Sequence, residues 1–243
     1  MAVKGIDVSK HNGTIDFGRV KAAGIDFVII RAGIGISQPK DEMFELNYNN
    51  AKAAGLHVGC YWFLRSLTPA AAAKEAQTFL DIIRGKKFEY PVYLDFEEDP
   101  NYNYFPFRTG KNNCTAMVKA FCDVVENAGY FTGVYMNRGA LENNVSTELI
   151  NSYSVWVAQW AKECTYKGSY GMWQYSDKGR IDGISGNVDL DIAYTDFPKV
   201  IKAAGRNGYS KGEKYRVFVE FDSPDEAMEF MRLCKAMKAV KVK

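Results

Sequence analysis

The 243-residue chain is poor in the residues that metal sites and many nucleophilic sites need. It has two histidines, His11 and His57, and five cysteines without a Cys-x-x-Cys pair. So few histidines make a Ser-His or Cys-His site improbable, and the spacing of the cysteines argues against zinc. An odd number of irregularly spaced cysteines predicts free thiols. We therefore expect neither a metal nor a cofactor.

Long apolar runs and an excess charge of one sign are also absent. The best apolar stretch, Phe27-Val28-Ile29-Ile30, suits a buried strand and is far shorter than the roughly 18 residues of a membrane helix. The formal net charge is only +2, whereas nucleic-acid-binding domains are usually strongly basic. Hydrophobic residues make up 47% of the chain, enough for a sizeable core. We predict a globular protein without a membrane span and without a nucleic-acid partner.

The order of the predicted elements favours an α/β fold. Strands are predicted at 5–8, 27–32, 57–63, 91–97, 132–136, 154–159, 171–175 and 187–193, and helices at 16–23, 42–54, 69–83, 113–128 and 198–204. Strands and helices alternate regularly only in the first half. We therefore predict an irregular, TIM-like (β/α)-barrel of eight strands with a degenerate second half. The alternative is a doubly wound open sheet, but no Gly-x-Gly-x-x-Gly turn follows the first strand.

Acidic residues stand at the ends of the predicted strands, where parallel barrels carry their chemistry. In the fourth strand, two-residue periodicity puts Tyr93, Asp95 and Glu97 on one face. Two such carboxyls raise each other's pKa. Glycoside hydrolysis needs such a pair, one neutral acid and one anion. If the barrel closes, Asp7 on the first strand and Asp189 on the last lie on neighbouring strands and reach the same opening.

Aromatic and amide side chains cluster at the same strand ends. Tyr61, Tyr135 and Trp160 are candidates for stacking on sugar rings, and Gln174 for binding hydroxyl groups. Core packing is the alternative for such aromatics, and it applies more strongly to Trp62 than to these three. The predicted binding site is therefore an aromatic groove beside the carboxyl groups.

Several short motifs together resemble one known family, the glycoside hydrolase family 25 lysozymes, or Chalaropsis-type N-acetylmuramidases. The resemblance covers residues 3–204 and rests on Gly5-Ile6-Asp7-Val8-Ser9, Ile30-Arg31-Ala32, Gly59-Cys60-Tyr61-Trp62-Phe63, Leu94-Asp95-Phe96-Glu97, Gly133-Val134-Tyr135, Trp173-Gln174-Tyr175 and Val188-Asp189. It implies hydrolysis of the β-1,4 bond between N-acetylmuramic acid and N-acetylglucosamine in peptidoglycan.

The resemblance also implies roles for single residues. Glu97 would be the general acid, with Asp95, Asp7 and Asp189 as the other catalytic carboxyls. Asp95 would act on the 2-acetamido group or on a water. We add Arg31 to the expected substrate-binding residues. The family often has asparagine where this chain has Asp191, so either Asp189 or Asp191 could face the site, and Asp191 is counted among the substrate-binding residues.

Two other functions remain open from the residues alone. A chitinase-like hydrolase also ends a strand in Asp-x-Glu, but its signature has another aspartate at the position of Tyr93. A non-catalytic cell-wall glycan-binding protein would be a decayed hydrolase, although all four carboxyls are present here. A carboxylate-bound metal enzyme fits less well, because the His-poor cluster resembles no standard site.

The beginning of the chain bears on where it acts. Its first residues, Met-Ala-Val-Lys-Gly-Ile-Asp, form no apolar signal region. With the resemblance, this fits a phage endolysin or a prophage-derived autolysin, made in the host cytoplasm and released through a holin to act on peptidoglycan strands of the cell wall. A secreted enzyme whose leader has been removed is the alternative.

The C-terminal part lies beyond the resemblance. We predict a catalytic barrel over residues 1–205, a linker over 206–212 and a small β-α-β element over 213–243, with Ser223 capping its helix. An element of about 30 residues is too small to fold alone. We expect it to form a homodimer with a second copy, to dock on the barrel, or to be a disordered remnant. Residues 206–243 have nine Lys+Arg and six Asp+Glu, a net charge of +3 that suits wall binding.

Overall fold

Eight strands close into one barrel in the computed structural model, which describes residues 2–37, 39–211, 221–228 and 230. The strands are β1 (Val3–Val8), β2 (Phe27–Ile34), β3 (His57–Phe63), β4 (Val92–Asp95), β5 (Thr132–Asn137), β6 (Ser154–Ala158), β7 (Met172–Gly179) and β8 (Val188–Ala193). They are hydrogen-bonded in chain order, and β8 closes the barrel on β1. The predicted barrel with neighbouring first and last strands is confirmed.

Seven α-helices accompany these strands in the described residues. They are α1 (Phe17–Ala22), α2 (Phe44–Ala53), α3 (Pro69–Ile83), α4 (Lys111–Asn127), α5 (Arg138–Asn143), α6 (Thr147–Ile150) and α7 (Phe197–Ala204), with short 3-10 turns at Lys10–Asn12, Pro100–Tyr102 and Pro106–Thr109. Helix α3 begins as its sequence predicts. The Thr68 side chain accepts a hydrogen bond from Ala71 N, and Pro69 is the first helical residue.

The last strand runs against its neighbours. Strands β1 to β7 pair in parallel, whereas β8 is antiparallel to both β7 and β1. The connection from β7 to β8 is short and contains no helix, and a short connection joins only antiparallel strands. This is the physical reason for the irregular second half. The first residues of β8 therefore lie at the end of the barrel where β1 to β7 finish.

The core has two layers. Apolar residues between the strands and the helices form the larger layer. Inside the barrel, aromatic rings including Phe27, Tyr93 and Trp156 are almost completely buried and form the floor below the C-terminal opening. Gly5 on β1 leaves room for this floor, since a Cβ there would lie 2.2 Å from the Phe27 ring. Four described cysteines, Cys60, Cys114, Cys122 and Cys164, are free thiols.

The chain consists of two compact units, Met1–Gly212 and Glu213–Lys243. In the first unit, part of the predicted linker packs tightly. Asn207 is fully buried; its Nδ2 donates to Tyr90 O at 2.8 Å, and its Oδ1 accepts from Phe131 N at 2.6 Å. The Tyr209 hydroxyl donates to Glu89. These contacts make residues 206–209 part of the barrel unit. Their glycine-rich and polar composition is typical of a linker and gives no sign that Asn207 is buried.

The second unit, residues 213–243, is described only in part. Residues 224–228 form a helical turn, and the Ser223 side chain accepts from Glu226 N at 3.3 Å, as the sequence predicts. Of the strands predicted at 215–221 and 240–243, all residues except Phe221 lie outside the described residues. Across the described part of the chain, every helix is too short or too polar to cross a bilayer.

Candidate active site

A small cavity of about 80 Å³ opens at the C-terminal end of β1 to β7. Its lining consists of four carboxyl groups, three aromatic rings and one amide: Asp7, Asp95, Glu97, Asp189, Tyr61, Tyr135, Trp156 and Gln174. Seven of these were predicted from the sequence to be in the site, and Trp156 was not. The four predicted catalytic carboxyls are thus brought together at one place.

Each carboxyl reaches the cavity through the geometry of its strand. Asp95 is the last residue of β4, and Glu97 follows it with the same inward direction while Phe96 between them is fully buried in the outer core. Asp7 and Asp189 are direct partners in the antiparallel β1–β8 pair. Because β8 runs in reverse, Asp189 stands near its beginning and still lies at the open end.

The protonation of the Asp95 and Glu97 pair differs from that of ordinary carboxyls. Burial, with the nearby Asp99 and Asp189 charges, raises the pKa of Glu97 to about 7, and Arg65 opposes this. Burial and the Glu97 charge also raise the pKa of Asp95 well above its usual range, while Arg31 and Arg65 act to lower it. The pair can therefore hold a proton at neutral pH, as a general acid must.

Gln174 organises the opposite wall through three hydrogen bonds. Its Oε1 accepts from the Tyr135 hydroxyl at 2.9 Å and from Trp160 Nε1 at 3.1 Å, and its Nε2 donates to Asp7 Oδ2 at 2.7 Å. Two donors to one oxygen fix the orientation of the amide. Tyr135 is buried against Trp156, with ring centroids 4.5 Å apart, so only part of it faces the cavity.

Trp160 differs from the other aromatics of the site. It is 61% exposed and lies outside the cavity lining, tied to Gln174 at the rim. An exposed indole at the rim of a carboxyl-lined cavity provides a flat apolar face to solvent. Trp160 is thus accessible to solvent at the rim, whereas Trp62 is fully buried in the core.

Two predicted substrate-binding residues lie elsewhere. The Arg31 Nε atom donates to Asp41 Oδ2 at 2.7 Å, and Arg31 lines a neighbouring pocket of about 570 Å³ rather than the carboxyl cavity. Asp191 is fully buried below the cavity, where its Oδ1 accepts from Trp156 Nε1 at 2.8 Å. Asp191 therefore lies below the cavity and not in its lining, so the structure does not bring it to the surface where it was expected to bind substrate. Two-residue periodicity gives the inward face but not the depth.

Sequence reasoning missed Arg65 and Asp99. Arg65 Nη2 donates to Asp99 Oδ2 at 2.5 Å, and its guanidinium stacks over Phe63, 4.3 Å from the ring centroid. Both residues act on the pKa of Asp95 and Glu97. Asp99 continues the acidic run Asp95-Phe96-Glu97-Glu98-Asp99, which was a usable signal. No sequence pattern pointed to Arg65.

A barrel with four carboxyls, an aromatic rim and a neutral acid near pH 7 has the site of a glycoside hydrolase. The sequence matches the model of the glycosyl hydrolases family 25 over residues 6–184. The chain belongs to this family, and the resemblance seen in its motifs is confirmed.

Curated relatives include two enzymes. The autolytic lysozyme of Clostridium acetobutylicum is 30% identical over 190 residues, covering 78% of this chain and 55% of that protein. Lysozyme M1 of Streptomyces globisporus is 33% identical over 204 residues, covering 77% and 66%. The chain thus spans less than two thirds of the length of these relatives.

Solved structures share the fold. The CTP1L endolysin has 29% identity and a TM-score of 0.69, with 83% of this chain and 70% of that chain covered. The modular autolysin LytC of Streptococcus pneumoniae, solved with a synthetic peptidoglycan ligand, has 26% identity and a TM-score of 0.73, with 79% and 47% covered.

Proposed function

We propose that this protein is a muramidase, hydrolysing the β-1,4 bond between N-acetylmuramic acid and N-acetylglucosamine in peptidoglycan. The observation that carries the proposal is the meeting of Asp95 and Glu97 in one cavity, with the pKa of Glu97 raised to about 7. The lysozyme and autolysin names of the relatives support the substrate. The endolysin neighbour supports action at the bacterial cell wall. We propose that the protein reaches the wall after release from the host cytoplasm through a holin, or by secretion with a leader that is then removed.

Glu97 is the general acid in this proposal. It lies beyond the end of β4 and is partly exposed, so it can reach the leaving oxygen of a glycan that enters from solvent. Asp95 is deeper, only 5% exposed, and two guanidinium groups favour its anion. Glu97 donates its proton as the glycosidic bond breaks, and the Asp95 anion stabilises the positive charge that develops at the sugar. We propose that Asp95 does so through the 2-acetamido group or a water.

The remaining residues bind and orient the glycan. Trp160 offers its exposed ring to a sugar, while Tyr61 and Tyr135 border the cavity and Asp189 contributes a further carboxyl. Arg31 contributes from the neighbouring pocket. Aromatic faces with nearby polar groups suit the mixed surface of a sugar ring. The groove from this pocket to Trp160 is the proposed glycan-binding surface.

The direct test is mass spectrometry of the fragments released from purified peptidoglycan. A muramidase leaves N-acetylmuramic acid at the new reducing end. A glucosamine reducing end or a freed peptide would refute the proposal, and wall binding without new reducing ends would indicate a non-catalytic binder. Digestion of chitin but not of peptidoglycan would favour a chitinase-like enzyme. NMR of the first-formed anomer would distinguish retention from inversion.

A further inference from the structure

Asp191 is a buried carboxyl that the proposed reaction does not use. Its side chain is completely buried, and its Oδ1 accepts the hydrogen bond from Trp156. Among the described residues, no N–H or O–H group donates to its Oδ2. A buried carboxylate oxygen without a donor is unfavourable, and such an atom calls for a physical explanation.

The strand register brings Asp191 to Asp7. In the antiparallel β1–β8 pair, Asp7 is opposite Asp189 and Gly5 is opposite Asp191. Gly5 has no side chain, so the side chain of β1 that Asp191 meets is the diagonal one, Asp7. The strand geometry therefore makes Asp7 and Asp191 neighbours on the inner face, and Asp7 is also the neighbour of Asp189, which lines the open cavity.

The other contacts of Asp7 show where a proton fits. Asp7 Oδ2 accepts from Gln174 Nε2 at 2.7 Å, in the amide orientation fixed by Tyr135 and Trp160. A proton on the other oxygen of Asp7 would supply the donor that Asp191 Oδ2 lacks. In this arrangement all four oxygens of the two carboxyls have a defined role, and the pair carries one negative charge instead of two.

The direction of the sharing follows from the surroundings. Burial, then the Asp189 and Asp191 charges, raise the pKa of Asp7 well above its usual range, although the hydrogen bond from Gln174 acts to lower it. Burial and the Asp189 charge also raise the pKa of Asp191, but hydrogen bonds from Trp156 and Asp7 act to lower it. Asp7 is moreover the carboxyl directly opposite Asp189 in the strand pair. The proton therefore belongs on Asp7, and the anion belongs on Asp191.

Charged and titratable groups face this pair from several strands and the segments next to them. They are Tyr61, Asp95, Glu97, Tyr135 and Asp189 in the cavity that Asp7 also lines, and Tyr90, Tyr93 and Tyr175 around Asp191. Arg31, a cation near Asp95, forms its ion pair with Asp41 at 2.7 Å. Neither carboxyl of the pair has an ion-pair partner among the described lysines and arginines, so proton sharing is the remaining way to reduce the charge.

We propose that Asp191 is a positioning residue that holds one proton on Asp7, so that Asp7 takes part in the site as a neutral acid. The inference rests on the proposed glycan hydrolysis. The negative charge of the pair then lies below the cavity floor, two residues along β8 from Asp189 instead of on the residue directly opposite it. Asp189 and Glu97 consequently keep the protonation that the reaction needs.

The first test is the pH profile of peptidoglycan hydrolysis by the Asp191→Asn protein. An asparagine donates to Asp7 instead of accepting from it, so Asp7 ionises and the charge moves next to Asp189. We expect both limbs of the profile to shift to higher pH by about half a unit to one unit. Asp182→Asn, an exposed aspartate paired with Arg19, is the matched control and should leave the profile unchanged. A uniform loss of activity without a shift would overturn the proposal.

The second test does not depend on activity. Infrared difference spectra of the full chain at pH 7 compare each variant with the wild type, because the proton of the Asp95–Glu97 pair also absorbs in the protonated-carboxyl region. We expect one component of this absorption to be lost in both Asp7→Asn and Asp191→Asn and to persist in Asp182→Asn, while the Asp95–Glu97 component stays in all three. An unchanged protonated-carboxyl absorption in Asp7→Asn would overturn the proposal, even if Asp191→Asn failed to fold. If the wild-type protein shows the Asp7 component but releases no reducing ends, the proposed hydrolysis fails and the proton sharing stands.

Discussion

The carboxyl groups at the barrel opening oppose folding when they are ionised, but the proposed reaction needs them. Asp7, Asp95, Glu97 and Asp189 line one cavity, and burial raises the pKa of each. A group whose pKa is raised by folding favours the folded state only while it is protonated. The four carboxyls therefore lower the stability of the folded protein more and more as the pH rises. Replacing one of them should raise the stability and lower the activity.

Glu97→Gln is the sharpest test of the proposed acid. The amide keeps the shape of the side chain but cannot donate a proton to the leaving oxygen, so we expect the rate to fall by about 10²- to 10⁴-fold. Release of reducing ends from peptidoglycan measures the loss, and binding to insoluble wall checks that the groove is intact. Retention of activity within roughly tenfold would remove Glu97 from this role. In the wild type, activity should decline as the pH rises through about 7.

The same variant should be more stable than the wild type at high pH. The folded-state pKa of Glu97, about 7, lies above its ordinary value of 4.5. Its contribution to stability is therefore fully present below about pH 4.5 and is lost as the pH rises through about 7. Thermal melts should show the Tm advantage of Glu97→Gln increasing from pH 5 to pH 8. A constant difference across this range would contradict the raised pKa.

Trp160→Ala tests the binding role of the exposed rim. Because Trp160 is 61% exposed, its loss should change Tm by only a few degrees while KM rises several-fold. Trp62→Ala is the contrasting variant: Trp62 is fully buried, and its truncation should cost about 3–5 kcal/mol of unfolding free energy. Melts and kinetics on the two proteins give the comparison. A strongly destabilised Trp160→Ala with normal KM would identify Trp160 as a packing residue.

Elements with local signals were predictable from the sequence, and elements defined by tertiary context were not. Strand β3 and helix α3 have the predicted bounds, since a continuous apolar run and a Thr-Pro start are local features. Helices α5 and α6 were missed, although Asn137 and Ser146 cap them, because both are short. The direction of β8 was also missed. It depends on how the barrel closes and not on the residues of the strand.

The site shows the same division. The inward face of Asp95 and Glu97 follows from two-residue periodicity, so the sequence could predict it. The burial of Asp191 depends on the floor of rings such as Trp156, which no local pattern describes. The position of Arg65 depends likewise on the path of the segment after β3. The sequence therefore could not predict how deep a side chain lies below the opening or which path a loop takes.

The buried side chain of Glu75, on helix α3, fixes the segment that follows β3 and contains Arg65. Glu75 accepts from Trp62 Nε1 at 2.7 Å, from Arg65 N at 3.2 Å and from the Ser66 hydroxyl at 2.5 Å. Glu75→Ala leaves these donors unpaired and should destabilise the protein by about 2–5 kcal/mol. Because Arg65 acts on both site carboxyls, the pH profile should also change. Glu75→Gln keeps one acceptor oxygen and should lose less; equal melts for both variants would contradict this account.

At the scale of the whole molecule, the division into two units sets the expectation for truncation. The barrel unit ends at Gly212, seven residues later than the sequence-based boundary at residue 205. The difference arises from Asn207, whose φ of 55° is the left-handed conformation that asparagine tolerates and whose side chain bonds two buried backbone groups. Arg206 adds a bond from Nη1 to Glu126 O at 2.9 Å. These contacts lie below the strands, far in the fold from the carboxyl cavity.

We therefore predict different outcomes for two shortened chains. A chain ending at Gly212 should keep its Tm within about 2 °C and its hydrolytic rate, whereas one ending at Gly205 leaves Phe131 N and Tyr90 O unpaired and should melt about 5–10 °C lower. Asn207→Ala in the full chain is the matched control and should reproduce most of the loss.

Light scattering on the full chain and the Gly212 chain tests the proposed role of residues 213–243. A dimer only in the full chain supports pairing, a monomer in both refutes it, and equal wall binding by both refutes targeting by this element.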